Sequence, residues 1–478
     1  MGGSRRIIVA VVAAGIAAVV VGGFFGGRRE PPAVSAPGAA RSVAPPRAML
    51  GAGSCSSSGC HAAAVEGHAA WQSAYTVWAS RDRHAQAYQV LHEPLARQIV
   101  AALAARNPDR PHPPAHENDA CLGCHATQRK TALTDGVSCE SCHGPAGDWL
   151  VAHTLPGWKT KGNTLGMVDL ADPFACAQQC SQCHVGGPAT PDGALREVSH
   201  DLIAAGHPRL TFELRDFKQA EPPHWRDRFT GDGEEGPLSE WALGRLGGLD
   251  AFLTQVASQA ATAARKSDGH QESSDTAGVW PEFTAFECYG CHRPAIASFD
   301  RDPAGTEAAG RIRVSPRVDP MIWSLLDVIL PEAAAHSIDT ARDDMEAEWW
   351  LPPSQSTLEN CRREITQARP FVGGRLAALS PATLARQVIA SVDLQSWDEA
   401  VSATRALTAI VDQLAATRDV TDARQRLASI RLLLEFRETT VGGRQVRFDS
   451  PQGYDPAQVR SALEAVIPML NVSGKSHP

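Results

Sequence analysis

From Ile7 to Gly27 the chain carries no charged residue and few polar ones, and Arg5 and Arg6 stand just ahead of it. A bilayer span needs about 20 such residues, whereas the apolar core of a cleaved signal peptide runs to roughly 7–15. The length predicts an uncleaved membrane anchor over residues 1–29, with a cleaved signal peptide as the alternative. Either way the rest of the chain is exported. Residues 30–54 are rich in Pro, Ala and Ser and nearly free of large apolar side chains. That composition predicts a semi-extended tether.

Gly and Pro then interrupt the chain repeatedly as far as about residue 303, which predicts loops joined by short helices. One helical pattern there starts near His84 and His92 and runs to about Arg106. Beyond residue 304 helical periodicity takes over. Ser380-Pro381 and Asp455-Pro456 read as an N-cap followed by proline in the first turn. Trp397, Val401, Ile410, Val411 and Leu414 recur at helical spacing, as do Leu427, Ile430 and Leu434. Trp349 and Trp350, ahead of Pro352 and Pro353, read as a helix end packed on the preceding region. The expected fold is mainly α, with a loop-rich domain over 55–303 and a helical bundle over 304–478.

At 478 residues the chain is long enough for two or three domains, and its net charge of −8 argues against a nucleic-acid partner. The cysteines change the picture more. In HENDACLGCHATQRKTALTDGVSCESCHGP two Cys-x-x-Cys-His units start eighteen residues apart, at Cys121, Cys124, His125 and at Cys139, Cys142, His143. The unit recurs at Cys180, Cys183, His184 and at Cys288, Cys291, His292. A stretched version, CSSSGCH, supplies Cys55, Cys60 and His61. Ten of the twelve cysteines thus obey one grammar, and Cys176 and Cys361 are left over.

Three chemistries compete for these units. Cys121, Cys124, Cys139 and Cys142 have a spacing close to that of a zinc ribbon. Disulfides are natural in an exported chain. Neither explains a histidine directly after the second cysteine in all five units. Covalent haem c does, because two thioethers fix the porphyrin vinyls and carry the adjacent histidine onto the iron. The expectation is five haems, with four as the minimum because the CSSSGCH spacer is unusual. A disulfide between Cys176 and Cys361 is one use for the remaining pair.

Each iron then has a sixth position, filled most often by Met or His. Between residues 50 and 300 the only methionine is Met167, while twelve of the seventeen histidines remain after the proximal five. Bis-histidine ligation follows, and with it low potentials. His84, His116, His153, His200 and His207 are the candidates, and His92 shares the context of His84. His68 stays open. His112, His224, His270, His336 and His477 sit in Pro-rich, charged or terminal contexts and read as ordinary surface histidines.

The segments SRDRHAQAY, ACLGCHA, GVSCESCHGPAGDWLVAH, CSQCHVG and AAGHPRLTFEL, in that order, resemble the multihaem cytochrome c-554-like family over about residues 50–300. Its tetrahaem prototype carries electrons from hydroxylamine oxidation. The resemblance implies stacked haem pairs. It also implies His153 as distal ligand of the first haem, His84 for the haem at His184, and His200 and His207 for two others. One prototype haem lacks a distal ligand, and His116 is the candidate for that position here. The unit at Cys288 and the C-terminal region have no counterpart in the prototype.

Two functions are compatible with these features. One is electron transfer by a tethered periplasmic multihaem cytochrome between membrane or periplasmic redox proteins. The other is an oxidoreductase acting on a small nitrogen or sulfur compound at one five-coordinate haem. No residue marks a catalytic site.

Overall fold

The computed structural model describes residues 47–128, 131–158, 162–188, 196–224, 236–267, 280–286, 328–392, 396–435, 438–441, 444–447 and 454–471, with Val314, Leu326 and Leu394. The apolar run, most of the tether, and Cys288, Cys291 and His292 of the fifth unit lie outside the described residues. Among those described, no helix is long and apolar enough to cross a membrane.

The fold is mainly helical, as expected. The first part carries short helices between loops: α1 (Ala74–Arg81), α2 (Pro94–Arg106), α3 (Asp119–His125), α4 (Cys139–His143), α5 (Pro173–His184), α6 (His200–Ala204) and α7 (Leu214–Ala220). The pattern from His84 to Arg106 is not one helix. Residues Arg83–Gln86 and Gln89–His92 form single 3-10 turns, and α2 begins only at Pro94. Proline has no N–H for an interior helical bond and pushes the preceding residue towards extended backbone, which Glu93 adopts.

Helix α8 (Pro237–Ser267) is the long element of the chain. After it come α9 (Glu332–Ala347), α10 (Gln355–Ala368), α11 (Val372–Ala377), α12 (Pro381–Ser391), α13 (Trp397–Leu414), α14 (Thr421–Leu434) and α15 (Pro456–Glu464). A two-stranded antiparallel hairpin, β1 (Glu438–Val441) and β2 (Arg444–Arg447), lies between the last two helices. Both proline-led N-caps form: Ser380 Oγ accepts the Thr383 amide at 3.1 Å, and Asp455 Oδ1 accepts the Ala457 amide at 2.9 Å. The periodic apolar positions bury Ile410 and Val411 on α13 and Leu427, Ile430 and Leu434 on α14.

One hydrophobic core runs from Phe174, Ala177 and Val185 at α5, through Trp241, Leu249 and Phe252 on α8, to Leu463 on α15. Packing therefore crosses the expected 303/304 boundary without a break, because α8 packs on α5 along one side and on α10 and α13 along others. Ion pairs cross the same contact: Arg209 to Asp398 at 2.7 Å, Arg215 to Asp412 at 3.0 Å and Arg362 to Asp250 at 3.0 Å. Trp349 packs on Phe283 and Phe286 and accepts a hydrogen bond from the Trp280 indole at its carbonyl. The Cys176–Cys361 disulfide, named above as one use for the pair, is not formed. Both thiols are free; Cys361 bonds the Ser337 carbonyl, and Cys176 bonds the Cys180 thiol one turn along α5.

Helices α5 and α8 approach tightly at Gly247. A Cβ there would stand 2.5 Å from the Phe174 carbonyl oxygen and 2.8 Å from the Ala177 Cβ. Backbone cannot give way as a flexible side chain can, so Gly247→Ala forces the helices apart. Overpacking of this kind costs about 1–3 kcal/mol. A denaturant titration of Gly247→Ala should show a lower midpoint with an unchanged slope.

Candidate haem centres

Three units share one local design. Cys-x-x-Cys-His closes a helix, with His125, His143 and His184 the last residues of α3, α4 and α5. On a helix, positions i, i+3 and i+4 share one face, so both thiols and the imidazole leave from the same side. Asn118 and Asp172 cap α3 and α5 by accepting the Ala120 and Phe174 amides, each at 3.0 Å. The stretched first unit is built differently. The Ser57 carbonyl accepts the amides of Cys60, His61 and Ala62 at 2.9, 3.0 and 3.1 Å. That turn folds the longer spacer back on itself.

The histidines meet in pairs. Ring centroids of His61 and His153 lie 6.2 Å apart with planes at 16°. Those of His84 and His184 lie 6.1 Å apart at 80°, and those of His125 and His207 lie 6.5 Å apart at 87°. Two imidazoles on opposite sides of one metal, each nitrogen about 2 Å from it, have centroids roughly 6.3 Å apart. All three separations fit an iron between the rings. Each pair joins a histidine that follows a cysteine to one that does not.

The outer nitrogens suit this arrangement. His61 Nδ1 meets the Trp71 carbonyl at 2.6 Å, His125 Nδ1 the Ala87 carbonyl at 2.8 Å, and His207 Nδ1 the Pro208 carbonyl at 2.9 Å. His153 Nδ1 meets the Leu150 carbonyl. A carbonyl only accepts, so each Nδ1 carries the proton and Nε2 keeps its lone pair for a metal. His84 differs: its Nδ1 faces the Asp82 carboxylate at 3.0 Å and that of Glu221 at 3.6 Å. The hydrogen bond to Asp82 raises the His84 pKa. Burial pushes His143 and His184 down to about 4, and His125 down as well, which keeps these imidazoles neutral.

His143 stands apart. The ring is half-buried, and among the described residues its buried Nδ1 has no hydrogen-bond partner and no histidine ring faces it at an iron-bridging separation. After desolvation, the strongest influence on it is the charge of His224, which the Pro-rich sequence context had made an ordinary surface residue. His116 does not fill the position. Its ring stacks on His92 at 4.2 Å, too close for a metal between them, and its Nε2 faces Glu117 at 3.4 Å. Packing of the 3-10 turn at 89–92 against that at 115–117 brings His116 there. His200 lies against Phe283 at 5.6 Å, and its amide bonds Glu282 at 2.8 Å, a few residues ahead of Cys288.

Between units, the Cys55 thiol lies beside that of Cys139, and the Cys124 thiol beside that of Cys183. These neighbouring thiols join the first unit to the third and the second to the fourth, although the short spacing in sequence is between the second and third. The latter two are tied by hydroxyls, with Thr127 Oγ1 and Ser141 Oγ 2.7 Å apart. Arg196 bridges α3 and α5 by donating to the Gly123 carbonyl at 3.2 Å and to Gln182. The four cysteines of the zinc reading do not converge, and no cluster of three or more His, Cys, Asp or Glu among the described residues could hold a bare metal ion.

Against known proteins, residues 55–144 match the family described as cytochrome c554 and c-prime. Over that segment the chain is similar to the cytochrome c554 family. Cytochromes of this kind carry haem c and transfer electrons, as a rule outside the cytoplasm. The matched segment takes in the first three units and ends just after His143; α5, α8 and the bundle lie beyond it. Neither the curated proteins nor the solved structures include a match to the chain.

Glu140, between the cysteines of the third unit, is 1% exposed and has no cationic partner among the described residues. Its carboxylate accepts the amides of Leu50 at 2.9 Å and of Gly51 and Ala146 at 2.7 Å. Glu140→Ala leaves the buried N–H groups of Gly51 and Ala146 and the part-buried one of Leu50 without their acceptor, each buried group costing about 1–3 kcal/mol. The variant should melt well below the parent in a thermal scan, and protease should cut first near residues 47–55.

Proposed function

We propose that the chain is a membrane-tethered periplasmic cytochrome that passes electrons between redox partners through five covalently bound haems. The observation that carries this reading is the set of three histidine pairs at iron-bridging separations, each pair including the histidine of a cysteine unit. On this reading His61 and His153, His84 and His184, and His125 and His207 are axial pairs, and His200 serves the haem of His292. Cys55, Cys60, Cys121, Cys124, Cys139, Cys142, Cys180, Cys183, Cys288 and Cys291 hold the five porphyrins. The carbonyl-oriented imidazoles bind the irons and keep exogenous ligands away from them, as electron carriage through fixed ligation requires. The thiol contacts between first and third units and between second and fourth favour two closely spaced haem pairs, with Thr127 and Ser141 joining them.

His143 favours a second reading for one centre. With no histidine opposite it among the described residues, its haem is five-coordinate and able to bind a small ligand, as an oxidoreductase would need.

Carbon monoxide titration of the reduced holoprotein tests both. One equivalent should bind per chain, and replacing Cys139 and Cys142 by Ala should abolish it. His153→Ala should add a second equivalent by opening the first haem. No uptake would make every iron six-coordinate and remove the second reading, and an unchanged stoichiometry in His153→Ala would remove the pairing with His61.

Axial ring planes also set the low-spin ferric spectrum, because perpendicular planes leave two iron d orbitals nearly degenerate. Electron paramagnetic resonance of the oxidised protein should therefore show two strongly anisotropic low-spin centres, from the pairs at 80° and 87°, beside an ordinary rhombic one from the pair at 16°.

A further inference from the structure

Of the axial candidates with a described Nδ1 contact, four place that nitrogen against a backbone carbonyl. His84 alone places it against carboxylates, Asp82 at 3.0 Å and Glu221 at 3.6 Å. The Asp82 side chain is 8% exposed, so solvent screens it little. It is also held in register, because the same Oδ1 accepts the His84 amide at 2.9 Å and caps the turn Arg83–Gln86. One side chain thus fixes both the backbone and the ring of His84. Glu221 reaches the same nitrogen from the end of α7, on the far side of the sequence.

An anionic acceptor at the outer nitrogen draws the proton off the ring and gives the imidazole imidazolate character. Such a ring is a stronger donor through Nε2, and it stabilises the ferric iron over the ferrous. A nearby buried negative charge acts in the same direction, because ferric iron carries one more positive charge than ferrous. A carbonyl acceptor provides neither effect at comparable strength. We propose that Asp82, seconded by Glu221, is a potential-setting residue that makes the haem held by His84 and His184 the lowest in potential of the three paired haems. Electrons would then rest on the other two paired haems before this one, and the wire has a direction built into it. This rests on the reading of His84 and His184 as one axial pair.

The test is a potentiometric titration of the holoprotein, followed in the visible spectrum, for Asp82→Asn, Glu221→Gln and His84→Ala. Asparagine keeps the shape, the cap and a neutral hydrogen bond, and removes only the charge. Asp82→Asn should leave the low-spin bands and the carbon monoxide stoichiometry as in the parent. It should raise the lowest of the paired components by tenfold or more in its redox equilibrium constant, which for one electron is about 59 mV. Glu221→Gln should move the same component upward by less. His84→Ala should add one carbon monoxide equivalent and remove that component from the low-spin set. If Asp82→Asn moves no component, or moves all of them equally, while His84→Ala still opens a site, the tuning role falls and the axial pair stands. If His84→Ala opens no site, the axial pair falls and the tuning role falls with it.

Discussion

A carboxylate shut away from water is tolerated only where hydrogen-bond donors converge on it, and Glu140 meets that condition with backbone alone. The demand is stringent: the amides of Leu50 and Gly51 must arrive from nearly ninety residues away to satisfy it. Once they do, the turn that follows carries Cys55 to Cys139, and His61 comes to face His153. The first and third units are therefore placed by one polar contact rather than by an apolar core. This suits a region whose own apolar cluster is as small as Leu91, Ala115, Leu122 and Ala126.

The second half of the centre has a different support. Helix α5 ends in His184 and lies along α8, close enough at Gly247 that no side chain intervenes. Helix α8 in turn is buried against α10 and α13, so the helical bundle acts as the wall on which the fourth unit is fixed. The ion pairs from Arg209, Arg215 and Arg362 cross between these parts and are largely shielded from water. A bundle with no cofactor motif of its own thus has a clear structural role: it backs the helix that ends in His184. Rigid placement matters because electron hopping falls off steeply with distance.

Polar detail then differentiates centres that share one cysteine grammar. Carbonyl acceptors orient His61, His125, His153 and His207, carboxylates face His84, and no group among the described residues hydrogen-bonds His143 Nδ1. The same porphyrin chemistry placed on these histidines would differ in donor strength and in access to the iron.

Much of this was legible in the sequence. The units are local motifs, and three of them become the last turn of a helix, where the i, i+3, i+4 spacing needs no tertiary partner. Proline-led caps at Ser380 and Asp455 and the apolar stripes on α13 and α14 are likewise properties of short stretches. The resemblance carried by GVSCESCHGPAGDWLVAH and SRDRHAQAY pointed to His153 and His84 as distal ligands, and their rings face His61 and His184. Tertiary structure alone decided what depends on parts of the chain that meet from afar. His116 was taken by His92, His207 came to face His125, and Asp82 and Glu221 converged on one nitrogen. The physical reason is that a ligand's identity is written in its side chain, but what stands on its far side is set by how distant segments bury their polar and apolar groups together.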